Sequence, residues 1–151
     1  MEETYIRVKG EWKYLYRAVD REGQTIDFLL TPQRDKAAAA AFLHKAIRAH
    51  GVPEKVTIDQ SGSNTAAITH YNRTHKTAIV IRQSKYLNNL VEQDHRAVKR
   101  VVRPRLGFKS FWAARCTIAG IEVRHTIRKG QLKTVEKAPQ TPAEQFYALA
   151  A

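Results

Sequence analysis

Cysteine is almost absent from this sequence. The single Cys116 excludes an internal disulfide and any zinc site built from a cluster of cysteines. Long apolar runs are also absent, since no stretch approaches the roughly 20 residues that span a bilayer. The first ten residues carry four charged side chains, which excludes the apolar segment of a signal peptide there. We therefore expect a cytoplasmic protein with no membrane span.

Acidic residues are scarce relative to basic ones. The 151 residues include 14 Asp and Glu against 26 Lys and Arg, a formal net charge of +12. The commonest partner of such a cationic chain is a phosphate backbone, because each neutralised phosphate releases condensed counterions. A hydrophobic content of 43% indicates a globular domain rather than a disordered chain. The composition favours a nucleic-acid-binding domain, with a basic protein of some other role as the alternative.

The hydrophobic pattern predicts an α/β domain. Three strand-like segments joined by short turns indicate an antiparallel meander, and helices then alternate with two further strands. This order suits a ribonuclease-H-like mixed sheet, a three-strand antiparallel meander plus parallel strands, flanked by helices. We assign residues 1–130 to that domain and residues 131–151 to a C-terminal tail with a short helix. The predicted strands are Thr4–Lys9, Trp12–Val19, Thr25–Leu30, Lys55–Ile58 and Ala78–Ile81. Five helices are predicted: one that begins at Asp35, one that ends at about Asn72, two that span Asn88–Arg103 and Phe111–Ile127, and a short one that begins at Thr141.

Aromatic residues recur in the second predicted strand at every other position. Trp12, Tyr14 and Tyr16 follow the period of a strand whose one face is buried. Packing against the sheet is therefore favoured over base stacking for these three side chains.

Asp59 is the first acidic residue without an evident structural duty. It directly follows the predicted strand Lys55–Ile58. A carboxylate at the C-terminal end of a sheet strand projects into the crevice where α/β proteins bind ligands. A turn or N-cap role for the next helix is the alternative.

Glu92 lies within a basic stripe on the third predicted helix. At about 100° per residue, it shares one side of that helix with Arg96, Lys99 and Arg103. Apolar residues occupy the other side, and His95 lies at the margin. The stripe is either a solvated face with Glu–Arg pairs one turn apart or a metal-binding carboxylate flanked by cations that hold DNA phosphates.

Carboxylates of this kind suit phosphodiester chemistry. Two divalent ions about 4 Å apart can stabilise both the attacking and the leaving oxygen of an in-line displacement. Mg²⁺ takes oxygen ligands, so His and Cys are not required. A third carboxylate is needed from the region of the first strands, where periodicity does not choose among Glu2, Glu3, Asp20 and Asp27.

Three sequence blocks are more specific than any periodicity. They are Thr4–Asp20 (TYIRVKGEWKYLYRAVD), Ile58–Asn64 (IDQSGSN) and Lys85–Arg96 (KYLNNLVEQDHR). Shorter blocks follow at 103–104, 107–111 and 127–131. Through these blocks nearly the whole chain resembles the catalytic domain of DDE transposases of the IS-six group.

The resemblance implies a ribonuclease-H-like fold in which three carboxylates hold two ions, Mg²⁺ or Mn²⁺, and DNA strands are cleaved and joined. It places the second acidic position on Asp59 and the third on Glu92, 33 positions later. The first falls on Glu2, where the family has Asp. The longer side chain moves that carboxylate by one methylene, and a displacement of about 1 Å can cost about a hundredfold in rate. Glu2 also lies beside the chain start, where fraying is expected.

The resemblance also implies a DNA-contacting cation seven positions after Glu92, which is Lys99. The partners implied are DNA, as transposon ends and target duplex, and further copies of the chain in a homodimer or higher multimer. Location at the bacterial nucleoid follows from those partners. With Lys99, we predict phosphate contacts from four further residues: Lys85, His95, Arg96 and Arg103.

Two other functions stay open. The family normally has a DNA-reading segment ahead of this domain that the sequence does not show, so we expect weak recognition of specific ends. A catalytically inactive, non-specific DNA-binding remnant of a transposase is therefore one alternative, and Glu2 favours it. A basic RNA-binding protein is the other.

Overall fold

Strands and helices follow one another in the predicted order. The computed structural model describes residues 1–84, 89–132 and 141–149, and in these it has five strands and five α-helices. The strands are β1 (Glu2–Val8), β2 (Glu11–Val19), β3 (Thr25–Thr31), β4 (Lys55–Ile58) and β5 (Val80–Gln83). The helices are α1 (Lys36–His50), α2 (Gly62–His75), α3 (Asn89–Val102), α4 (Phe111–Arg128) and α5 (Pro142–Ala148), with a 3₁₀ turn at Arg103–Arg105.

The first three strands form an antiparallel meander, as the short turns predicted. β2 lies between β1 and β3, and Glu2 of β1 is opposite Arg17 of β2. The link from β1 to β2 has positive φ at both Lys9 and Gly10. Positive φ at both positions allows a two-residue link to reverse a strand without splaying it.

The last two strands form a parallel pair joined through α2, which confirms the predicted crossover. The buried strand predicted at Ala78–Ile81 is wrong in position, because β5 starts at Val80, which is 53% exposed. The buried residue is Ile79, whose N–H donates to the Asn72 side chain and whose carbonyl accepts from it. Those bonds hold Ile79 in the link between α2 and β5. The helix α2 ends at His75, beyond the predicted end at about Asn72.

Helices cover both faces of the meander. α1 and α2 supply Phe42 and Ile68 to the core that contains Tyr16. α3 and α4 supply Val98 and Ile118 to the core on the opposite face, which contains Leu15. Because successive side chains of a strand alternate between faces, the neighbours Leu15 and Tyr16 enter different cores. The domain therefore has three layers.

Side-chain caps begin the helices where the sequence predicted them. Asp35 accepts a hydrogen bond from the Ala38 amide at 2.7 Å and caps α1. Thr141 and Glu144 form a reciprocal capping box at the start of α5. No helix in the described part of the chain has the length and apolar character needed to cross a membrane.

The start of β1 adjoins β4. The Met1 amine donates to the carbonyl of Thr57 at 2.8 Å. β2 continues past the partner of Glu2 as far as Val19, and β4 starts ahead of Thr57, at Lys55. Both neighbouring strands therefore extend beyond the first residue of β1. A cavity of about 720 Å³, the junction cavity, lies between them and is also lined by α1.

Candidate active site

Glu2 lies on the face of β1 that α3 covers. β1 begins at Glu2 rather than at Thr4, and Glu2 is paired with Arg17 of β2. Strand pairing thus includes the backbone of Glu2, beside the chain start where fraying is expected. Its Oε2 is 3.9 Å from Nε2 of His95, which is 4% exposed.

A cleft of about 710 Å³ opens between this end of β1 and α3. The structure brings most of the predicted phosphate-contacting residues together along one wall, facing Glu2. Lys85 lies outside the described residues, and Glu92 is described only through its backbone in α3, one turn before His95. The cationic wall consists of Arg96, Lys99, Arg100 and Arg103, and His95 lines the cleft beside them.

Two further residues of the cleft were not predicted. Arg100 lies one helical turn after Arg96, so the same spacing argument that selected Lys99 would have found it. Tyr5 also lines the cleft, although its side chain lies on the opposite face of β1 from Glu2. Strand periodicity places Tyr5 on the other face from Glu2, so no sequence pattern predicts that it reaches the cleft.

Asp59 follows the last residue of β4 and lies near Glu2 at the junction with β1. Burial lowers the pKa of the Met1 amine to about 6, while the charges of Glu2, Asp59 and Glu3 each oppose that shift. All three carboxylates are therefore within electrostatic range of one amine. Asp59 Oδ1 also accepts a hydrogen bond from the Ser61 amide at 3.2 Å, so the turn role predicted as the alternative is present as well.

The other acidic residues of the first strands have local partners. Asp20 accepts hydrogen bonds from the backbone amides of Glu22 and Gln24 in the β2–β3 turn. Asp27 forms an ion pair with Lys45 of α1. The structure thus leaves Glu2 and Glu3 as the carboxylates of the meander that line the cleft.

The buried side chain of Glu3 is held in a hydrogen-bond network. Its Oε1 accepts from Arg34 Nε at 2.7 Å, and its Oε2 accepts from the Asn64 side chain at 2.9 Å. Burial first, and the Glu3 charge second, raise the pKa of Tyr16 to about 12. These contacts tie Glu3 of β1 to α2 and to the segment before α1.

The donors present suit a hard divalent cation. Glu2 and Asp59 supply carboxylate oxygens, the ligand type that Mg²⁺ prefers. Among the residues whose side chains the structure describes, no three His, Cys, Asp or Glu form a metal-binding group. On α3, Glu92 lies three residues before His95, which contacts Glu2, and Asp94 lies directly before His95.

Sequence comparison gives the family. The DDE domain of the IS240 transposase kind matches residues 1–131. This chain belongs to the DDE-domain family of insertion-sequence transposases. The transposase of insertion sequence-like element IS431mec from Staphylococcus aureus is 39% identical over 147 residues, which is 97% of this chain. The transposase of IS257 in transposon Tn4003, also from Staphylococcus aureus, matches equally. The chain spans 64% of the length of these relatives.

Solved structures give the fold. A chain of the simian T-cell lymphotropic virus intasome, solved in complex with PP2A regulatory subunit B56 gamma, superposes with a TM-score of 0.63 at 16% identity. That match covers 94% of this DDE domain and 51% of the intasome chain. The catalytic core domain of BIV integrase superposes with a TM-score of 0.51 at 15% identity, over 99% of this chain and 93% of that one. The predicted ribonuclease-H-like fold is confirmed.

Proposed function

We propose that this DDE domain is a transposase catalytic core that cleaves and joins DNA strands with divalent metal ions. The observation that carries the proposal is the cleft itself, in which the Glu2 carboxylate faces a wall of cations. Negative charge on one side suits metal ions, and positive charge on the other suits the phosphates of a DNA strand. Transposon ends and target duplex are the substrates we propose.

Glu2, Asp59 and Glu92 are the proposed metal ligands. Two ions, Mg²⁺ or Mn²⁺, bound by these residues would stabilise the attacking and leaving oxygens at phosphorus. β1 and the turn after β4 hold Glu2 and Asp59 on rigid elements, which keeps their oxygens in place without reorganisation. His95, buried against Glu2, restricts the positions that this carboxylate can take.

The cations of α3 and of the 3₁₀ turn are the proposed phosphate ligands. Arg96 and Arg103 are exposed and Lys99 is half-buried, so their charged groups are available to a strand in the cleft. Lys85 belongs to the same proposal. For His95, which is buried, a phosphate contact stays a prediction from the sequence.

Metal binding by calorimetry is the first test. The chain is titrated with Mg²⁺ and Mn²⁺ and compared with Asp59→Ala, Glu92→Ala and Glu2→Gln. We expect binding to the unmodified chain and its loss in each variant, together with loss of Mg²⁺-dependent nicking of supercoiled plasmid. Glu22→Gln is the matched control, because Glu22 is an exposed carboxylate in the β2–β3 turn whose backbone alone contacts Asp20. If the unmodified chain binds no metal even with DNA present, the proposal fails.

A catalytically inactive, DNA-binding remnant is the second candidate, and Glu2 is the residue that motivates it. The related transposases are expected to have the shorter Asp at this position. Glu2→Asp should raise the nicking rate by about ten- to a hundredfold if the longer side chain misplaces the carboxylate. Salt-sensitive DNA binding with no nicking by either protein would favour the remnant.

The proposal extends to assembly and organisation. A homodimer or higher multimer at the bacterial nucleoid is the form in which we expect the domain to act. Residues 1–130 are proposed as the catalytic unit and residues 131–151 as its tail. Sedimentation of the chain with and without DNA, and of a variant ending at residue 130, tests both statements.

A further inference from the structure

Three aromatic side chains form a patch on the meander beside the cleft. Tyr5 is 48% exposed and Trp12 is 58% exposed, and their ring centroids are 6.2 Å apart. Tyr14 lies 5.4 Å from Tyr5 on the same face. We call Tyr5, Trp12 and Tyr14 the aromatic patch. Packing against the sheet was predicted for Tyr14 and Trp12, but the exposure of Trp12 shows that it does not share the environment of Tyr16.

The difference between Tyr16 and Trp12 follows from the position of α1. Tyr16 is fully buried and stacks on Phe42 of α1 at 5.9 Å between centroids. Trp12 is on the same face of β2 but four residues nearer the β1–β2 turn, roughly 13 Å along the strand. The helix does not bury it there. A row of aromatic rings therefore passes from the core onto an open, rigid sheet surface.

The charges around the aromatic patch are mainly positive. The Arg7 guanidinium lies 5.9 Å from the Trp12 ring centroid. Arg34 is within electrostatic range of the Tyr5 hydroxyl and is itself paired with Glu3. The nearby carboxylate of Glu11 is paired with Lys13 at 2.8 Å, which offsets its charge. Flat rings with flanking cations are complementary to a ligand that combines aromatic faces with negative charge.

We propose that the aromatic patch binds unpaired bases of a DNA strand whose phosphates follow the cationic wall of the cleft. Tyr5 belongs both to the patch and to the cleft, so one strand can contact both surfaces. Bases in a duplex have their faces covered by their neighbours, whereas unpaired bases stack on aromatic side chains with little dependence on sequence. The proposal rests on DNA being the substrate of the cleft, and it adds that the strand beside the cleft is single-stranded.

Tryptophan fluorescence tests this binding directly. The chain has two tryptophans, so Trp112→Phe leaves Trp12 as the only one. That variant is titrated with short oligothymidylate and with blunt duplex DNA, at low salt and with EDTA present. We expect saturable quenching of Trp12 by oligothymidylate, and a Trp12→Leu chain should bind it about tenfold more weakly. Affinity for the duplex should change by less than about twofold.

Trp112 provides the matched control. It is 74% exposed and lies on α4, which covers the opposite face of the meander. Trp112→Leu should leave the affinity for oligothymidylate unchanged, and circular dichroism should show that both leucine variants are folded. Equal effects of the two substitutions, or none from Trp12→Leu, would overturn the proposal.

Other occupants of the aromatic patch have separate readouts. If light scattering shows a dimer that Trp12→Leu dissociates, the patch is a subunit contact and the proposal is overturned. Equal weakening of duplex and single-strand binding would also overturn it. Because EDTA removes divalent ions, failure here leaves the proposed metal-dependent cleavage intact, and failure of the metal titration leaves this result intact.

Discussion

Arg17 and Glu122 connect the centre of the meander to α4. Their side chains are 0% and 3% exposed, and Arg17 Nη2 donates to Glu122 Oε2 at 2.8 Å. Burying two charges costs desolvation free energy, so the net contribution of such a pair is small. Losing one partner is different, because the remaining charge stays buried without its compensating ion.

We therefore expect Glu122→Ala to lower the free energy of unfolding by about 3–5 kcal/mol. The double variant Arg17→Met with Glu122→Leu should recover most of that loss, because neither charge remains. Urea denaturation of the two variants and the unmodified chain measures the difference. A double variant no more stable than Glu122→Ala would contradict this account.

The Met1 amine makes stability depend on pH. Burial lowers its pKa from 8.0 to about 6 in the folded chain, so the unfolded chain binds more protons between those values. The contribution of this amine is complete above pH 8 and is lost as the pH falls toward 6. We expect the free energy of unfolding to decrease by about 2 kcal/mol from pH 8 to pH 6 because of this group.

The control for this pH dependence is the same chain acetylated at its N-terminus. Acetylation keeps an N–H for the carbonyl of Thr57 but removes the titration. The difference between the two pH profiles isolates the amine, since the two proteins differ only in that group. Parallel profiles would show that the amine does not titrate in this range.

At the scale of elements, the edge of β1 is covered by the segment before α4. Phe108 donates to the Arg7 carbonyl at 2.9 Å and accepts from the Lys9 amide at 2.7 Å. Gly107 precedes it with φ +112°, and a Cβ there would lie 3.1 Å from the Arg7 carbonyl oxygen. A side chain at this position is both strained and crowded.

Substituting alanine for the two glycines near and within α4 should have opposite effects. Gly107→Ala should destabilise the fold by about 1–3 kcal/mol. Gly120→Ala should stabilise it by about 0.5–1 kcal/mol, because Gly120 is inside α4 with open space where its Cβ would go. Thermal unfolding of both variants gives the comparison, and a shift of equal sign in the two would contradict it.

Local chemistry explains which elements could be predicted from sequence. The Asp35 cap, the Thr141 capping box and the alternation in β2 act within a few residues, so their patterns predicted α1, α5 and the meander correctly. β5 was misplaced because the Asn72 side chain holds Ile79 out of the strand, a contact that no periodicity shows.

The candidate site was less predictable than the elements. The position after a strand suggested Asp59, and helix periodicity suggested Glu92. Periodicity did not choose among Asp20, Asp27 and the neighbours Glu2 and Glu3. The sheet register separates them, since it turns Glu2 toward α3 and Glu3 toward Arg34 and Asn64. The cationic wall was mostly predicted because α3 keeps one helical face along its length.

At the scale of the whole molecule, the net charge of +12 should dominate binding to DNA. We expect the logarithm of the affinity to fall linearly with the logarithm of the salt concentration, because bound cations release counterions from phosphates. Replacing Lys99 or Arg103 with Gln should lower the slope by about one for each residue in contact.

Fluorescence anisotropy over a range of salt concentrations measures those slopes. Lys36→Gln is a suitable control, since Lys36 is an exposed cation at the start of α1, away from the cleft. If the control lowers the slope as much as Lys99→Gln does, DNA contacts are spread over the surface and the cleft has no special part.

The junction cavity lies where the three-stranded meander meets the parallel pair of β4 and β5. On one side of the cavity, β1 carries Glu2 and packs with the meander, α3 and α4. On the other side, β4 pairs with β5, and Asp59 follows the end of β4. The Met1 hydrogen bond joins the two sides at the cavity, and the core under α1 and α2 joins them beyond it. The separation between the Glu2 and Asp59 carboxylates therefore depends on the packing at this junction, and whatever stiffens or widens the junction changes that separation.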